Sequence, residues 1–142
     1  MRLALFSVSY AGLWGQASLG VCDFTEQAAP LGYGGVMLAG KRPHLSPLDA
    51  TPERVGQVKE ALARTGLRCE PVAGYTDFAG GGAAEAPYAE MQVAYVEALA
   101  RLAAQLNCDV VRGLTAYEAP GHSGRAWRPV SACAATVPRL TA

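Results

Sequence analysis

Four short apolar runs recur along the chain: Leu3 to Val8, Gly35 to Ala39, Pro71 to Gly74 and Asp109 to Leu114, with helix-patterned stretches between them. Runs of strand length alternating with amphipathic segments predict βαβ units and a parallel sheet. The closed form of that arrangement, an eight-stranded (β/α) barrel, takes about 250 residues. A chain of 142 residues with four such runs therefore reads as about four βα units of a partial barrel. The class is α/β.

Each unit has local signals of its own. Leu3 to Val8 is apolar on both alternations apart from Ser7, as expected of a parallel strand covered on both faces. Val21 to Leu31 has Phe24, Ala28 and Leu31 at helical spacing, but Pro30 removes a hydrogen bond and collides with the preceding turn, so this helix kinks or ends early. Gly32, Gly34 and Gly35 make a tight return into the second strand. Thr51-Pro52-Glu53 combines a cap, an N1 proline and an early acid, and Gly66 closes the helix that carries Val55, Val58 and Leu62. Pro71 restricts where the third ladder begins. Pro87 opens a long helix with the stripe Met91, Tyr95, Leu99, Leu102 and Leu106, and Val110 and Val111 open the fourth strand.

Beyond Pro120 the pattern fails: Gly121 to Ala142 carries Arg125, Arg128 and Arg139, two prolines and no acid, with no sustained period. The expected organisation is residues 1–118 as the N-terminal half of a barrel and 119–142 as an irregular tail, the product of truncation or of a shifted reading frame. The open edges of a half barrel are a route to self-association.

Composition removes several classes of partner. Lys and Arg balance Asp and Glu at 12 each, and Lys41 and Lys59 are the only lysines, so no face offers the phosphate neutralisation that nucleic acid requires. No apolar segment approaches the roughly 20 residues that span a bilayer, and Ser7, Ser9, Tyr10 and Gly12 interrupt the N-terminal apolar stretch before a signal-peptide core develops. The four cysteines, at 22, 69, 108 and 133, have neither C-x-x-C nor zinc-site spacing, and read as reduced thiols in a cytoplasmic protein.

In a parallel βα sheet, ligands bind at the carboxyl ends of the strands. The loops there hold Tyr10, Trp14, Lys41, Arg42, His44, Tyr75, Asp77, Tyr117 and Glu118. His44, in a loop stiffened by Pro43 and Pro47, has the pKa range to polarise or deprotonate a sugar hydroxyl; as the bland alternative it is a structural loop histidine. Lys41 and Arg42 suit an anion, or are simply solvated. Tyr10 and Trp14 suit a wall for a sugar ring, or pack on a helix. Glu118 is placed to accept a proton, to hold a hydroxyl or to pair with an arginine. His44, Asp77 and Glu118 together imitate a divalent site without forming a motif. Gly80 to Gly82 lacks the ending of a phosphate loop and reads as a flexible loop over the active face.

At these residues the sequence resembles the xylose isomerase-like TIM barrel family of sugar phosphate isomerases and epimerases, related to endonuclease IV. The stretches that carry it are Ser9-Tyr10-Ala11-Gly12-Leu13-Trp14-Gly15-Gln16, Leu31-Gly32-Tyr33-Gly34-Gly35-Val36, Gly40-Lys41-Arg42-Pro43-His44, Tyr75-Thr76-Asp77-Phe78 and Thr115-Ala116-Tyr117-Glu118. The resemblance implies a partial (β/α) TIM barrel, a small sugar or sugar phosphate as substrate, and a divalent metal, Mn or Mg, acting as a Lewis acid while a glutamate moves a proton between adjacent carbons. It draws the metal ligands and catalytic glutamates from strands five to eight, so no metal ligand is assigned in this chain, which by itself is expected to be inactive and not to hold the ion. His44 and Glu118 are carried over as catalytic candidates. Tyr10, Trp14, Lys41, Arg42, Tyr75, Asp77 and Tyr117 are the substrate-side candidates. Gly113 and Pro30 depart from the strand and helix preferences expected at their positions. The competing readings are a non-catalytic sugar-binding or interaction module, a fragment of an endonuclease IV-like metal hydrolase, and a doubly wound domain of flavodoxin type.

Overall fold

A computed structural model describes residues 3–13, 15–78 and 86–115. Within them lie four strands, β1 (Ala4–Phe6), β2 (Gly35–Ala39), β3 (Arg68–Ala73) and β4 (Val111–Arg112), and three helices, α1 (Val21–Ala28), α2 (Pro52–Thr65) and α3 (Tyr88–Gln105). The strands form one sheet in the order β1-β2-β3-β4, every pair parallel. Sequential order without a reversal is the arrangement of a (β/α) barrel wall. A doubly wound sheet needs a switch point where the order turns back, so the flavodoxin-type reading is set aside.

The helix signals act as expected. Thr51 Oγ1 accepts from the Arg54 N–H at 3.3 Å with Pro52 at the first helical position, and Gly66 closes α2 in the left-handed region at φ 70°. Helix α1 stops at Ala28, two residues short of Pro30, because a proline at position 30 cannot supply the N–H that would continue the ladder.

Four expectations need correction. The first strand ends at Phe6 and Ser7–Tyr10 forms a 3-10 turn, which takes Ser7 out of the ladder and buries it. Strand β3 begins at Arg68, and Pro71 lies within it. A register shift of β3 against β2 between Val36 and Leu38 accommodates the proline, since an irregularity tolerates a residue with no N–H to donate. Strand β4 is confined to Val111–Arg112. Met91, at the start of the α3 stripe, is 59% exposed, whereas Leu99, Leu102 and Leu106 are buried.

The core lies between the sheet and the helices. Val36, Leu38 and Val72 meet Phe24 of α1, Val58 and Leu62 of α2, and Leu99 and Leu102 of α3. Helix α3 comes so close to the ends of β2 and β3 that a Cβ on Gly40 would stand 2.3 Å from Leu99 Cδ2, and one on Gly74 would stand 2.7 Å from Leu99 Cδ1. The Tyr95 hydroxyl donates to the Gly40 carbonyl at 2.8 Å and fixes the helix at this level.

Candidate functional site

Alternation along the strands sorts their residues between two faces. Val36, Leu38, Gly40, Val72 and Gly74 face the helices; Met37, Ala39, Lys41, Ala73 and Tyr75 alternate with them, and Arg112 pairs with Ala73 in register. The Arg112 guanidinium lies over the ring of Phe6, 5.5 Å from its centroid. Residues on β1 and β4 are separated by two strands, so this contact is possible only across the inside of a curved sheet. That concave surface is the lumen side of a barrel wall.

At the carboxyl end of this surface the side chains of four strands converge. Lys41 Nζ stands 4.2 Å from the centroid of Tyr75 and the Arg112 guanidinium 5.5 Å from the same ring, so two cations meet at Tyr75, and Arg112 lies over Phe6 as well. The loops below are held in place. Thr76, fully buried, accepts from the Leu114 N–H at 2.8 Å and donates to the Leu114 carbonyl, and the Phe78 N–H reaches the Thr115 carbonyl. Gly113 is explained by the same contact, because a Cβ there would stand 3.2 Å from Thr76 Oγ1.

His44 is placed differently from the others. The 41–44 turn closes with the His44 N–H on the Lys41 carbonyl, a tight turn with a cis proline at its third position, and carries the imidazole into the core, where it is 1% exposed. Nδ1 is 3.0 Å from Ser7 Oγ, which accepts from the Ala39 N–H at 2.9 Å. The ring stacks on Phe24, and Arg54 of α2 donates to the His44 carbonyl. Burial pushes its pKa below the ordinary histidine value; nearby carbonyls of Tyr10 and Leu19 oppose this, and Lys41 reinforces it. None of them completes a hydrogen bond at Nε2.

The remaining sequence candidates separate. Arg42 is held bidentately by Asp49, at 2.6 Å for each contact, and this pairing keeps the Asp49 carboxyl below its usual range; the guanidinium is occupied on the protein surface. Tyr10 packs its ring on Phe24 of α1 at 5.9 Å. The Asp77 backbone N–H is held by Gln92 of α3. Trp14, Gly80 to Gly82, Tyr117 and Glu118 lie outside the described residues, as does the 119–142 tail. Among the described residues no three His, Cys, Asp or Glu side chains gather as a metal site. The imidazole of His44, enclosed and bonded to Ser7, does not join Asp77 in one. The described residues thus do not fit the implied divalent ion, and no step is assigned to it.

Sequence reasoning missed Arg112. The signal was present: an arginine within the apolar run Asp109 to Leu114, where a charge is out of place in a buried strand unless it faces a lumen or a partner. A cavity of about 580 Å³ lined by Leu62, Leu67, Cys69 and Leu106 lies at the opposite, amino-terminal end of the strands, away from this cluster.

A family model described as "Xylose isomerase-like TIM barrel" matches residues 25–141. Three solved structures share the fold. The probable 3-DHS dehydratase AsbF, involved in petrobactin synthesis in Bacillus anthracis, aligns at 20% identity and TM-score 0.58 over 80% of this chain and 38% of its own. The 3-keto-D-glucoside 4-epimerase YcjR from E. coli aligns at 16% and 0.56 over 78% and 36%. A D-psicose 3-epimerase, solved in the presence of D-fructose, aligns at 14% and 0.58 over 80% and 37%. The chain spans less than two fifths of the length of each. No curated protein matches it in sequence. No helix among the described residues is long and apolar enough to cross a membrane.

Proposed function

The chain belongs to the xylose isomerase-like TIM barrel family, and from that premise we propose that it forms the first four βα units of a barrel that isomerises or epimerises a small sugar or closely related polyhydroxy compound. The observation that carries this reading is the convergence of Lys41, Tyr75, Arg112 and Phe6 at the carboxyl end of the concave face. The two cations meet at one tyrosine ring, where they would stabilise the oxyanion that develops when a proton leaves the carbon beside a carbonyl.

Glu118, which follows β4 in sequence, is the carboxylate we assign to moving that proton. His44 acts as a positioning residue: through Ser7 it ties the end of β1 to Ala39 of β2 and so sets the spacing from which Phe6 and Lys41 reach the ligand. The free thiols of Cys22, Cys69 and Cys108 are consistent with a reducing cytoplasmic setting.

The test is a binding titration of the 142-residue chain against small ketoses and aldoses together with their acid and phosphate forms, each with and without manganese, followed by NMR. At least one compound is expected to perturb the chain in a manner lost in Tyr75→Ala. Binding that requires manganese supports the enzyme, and binding indifferent to it supports a sugar-binding module. No perturbation by any compound, or binding untouched by Tyr75→Ala, overturns the proposal.

A further inference from the structure

Two arginines, Arg42 on the surface and Arg112 half-buried on the concave face, are satisfied to different degrees. Arg42 has both edges of its fork engaged by one carboxylate, Asp49. Arg112, further inside, has a single long contact, from a terminal nitrogen to the Gly74 carbonyl at 3.3 Å. Its Nε is buried and makes no hydrogen bond among the described residues. Lys41 brings a second positive charge to the same tyrosine ring, and no carboxylate among the described residues pairs with either cation. Aromatic faces offset part of the burden of a half-buried cation, but they supply no acceptor for guanidinium donors. A buried charge without a counter-ion is unfavourable, and two like charges at one ring add their mutual repulsion. An oxyanion would relieve both terms at once.

From this geometry we infer that the concave site recognises a sugar-like substrate bearing an oxyanion, a carboxylate or a phosphate, gripped by the Arg112 fork, with Lys41 on the same tyrosine ring as the second cation. Arginine presents two parallel N–H donors that match two oxygens of either group, whereas Lys41 contributes a point charge. The site then selects anionic over neutral sugars of the same size. This inference rests on the functional reading above for its polyol part and on the absence of a paired carboxylate at Lys41 and Arg112 among the described residues for its anionic part.

The experiment measures affinities of the intact chain for matched ligands: D-fructose, D-fructose 6-phosphate and D-galacturonate, with inorganic phosphate and acetate as anions lacking a sugar. At least one anionic sugar is expected to bind at least tenfold more tightly than D-fructose, to weaken as salt is raised, and to lose that margin in Arg112→Met with partial recovery in Arg112→Lys. The tighter of the phosphate and the uronate identifies the group. Thermal melts of the same variants with and without ligand supply a second readout: a merely structural arginine would lower the melting temperature without altering the ligand-induced rise. Equal affinity for neutral and anionic sugars overturns the inference and leaves the sugar reading standing. Binding of phosphate or acetate that depends on Arg112, with no sugar bound, sustains the anion site and overturns the sugar reading. No binding by any probe overturns both.

Discussion

On the helix side of the sheet, Val36, Leu38 and Val72 are at most 1% exposed, and the glycines that follow, Gly40 and Gly74, admit Leu99 to within contact of the backbone. One residue further along the same strands, on the concave side, Lys41, Tyr75 and Arg112 are only half-buried and are aromatic or cationic. A two-residue period therefore divides one short sheet into a surface that holds the fold and a surface to which we assign the proposed chemistry. Substitutions on the first should appear in stability, and substitutions on the second in binding.

The largest expected effect tests that division directly. Leu99 is fully buried and touches the ends of two strands, so Leu99→Ala should destabilise the chain by about 2–5 kcal/mol, the transfer term plus a cavity that rigid neighbours cannot close. Arg112→Met removes a charge that no carboxylate among the described residues pairs, while keeping most of the side-chain volume, and should change stability by no more than about 1 kcal/mol. Urea unfolding of both variants decides the matter: comparable losses would mean that the concave face is as structural as the core.

The order of elements and the helix-facing residues were legible in the sequence because they depend on local chemistry. Thr51, Pro52 and Gly66 state the limits of α2 by themselves, and Pro30 limits α1. The strand boundaries were less legible. Nothing in Ser7 announces a 3-10 turn, and the shift that admits Pro71 into β3 is a property of its pairing with β2, which no single segment encodes. The site divided along similar lines. Lys41 and Tyr75 are visible as residues that follow apolar runs. The enclosure of His44 depends on Ser7 and Phe24, 37 and 20 residues away in sequence, and Arg112 becomes meaningful only once the curvature of the sheet brings β4 opposite β1.

A sharper version of the comparison uses the closest approach between sheet and helix. At Gly40 an added Cβ would meet Leu99 Cδ2 at 2.3 Å and the Ala73 carbonyl oxygen at 3.2 Å, and Leu99 is fully buried and also lies against Gly74. Gly40→Ala is expected to cost about 1–3 kcal/mol through overpacking. Combined with Leu99→Ala, which vacates the clashing position, the two changes should sum to clearly less than their separate losses, because neighbours in contact are not additive. Simple additivity in the double mutant would show that the glycine is required for some reason other than the approach of α3.

The smallest expected effect lies at the border between the two surfaces. His44 is folded into the core, but Lys41 at the rim adds to the burial that keeps its imidazole neutral. Its pKa is lower in the folded chain than the ordinary value of about 6.5 that applies when the chain is unfolded. As the pH falls through that value the unfolded chain takes up the proton first, so stability decreases on acidification, by no more than about 1.4 kcal/mol per pH unit for one such group. It stops decreasing once the pH is below the folded pKa. Unfolding free energies of the wild type and of His44→Gln, measured between pH 7.5 and 5, should diverge in slope over that window, with the wild type the steeper. Lys41→Met should make the wild-type slope shallower by removing a charge that opposes protonation. Parallel curves for wild type and His44→Gln would mean that the buried imidazole is solvated after all, and the border between the two surfaces would then have to be redrawn beneath His44.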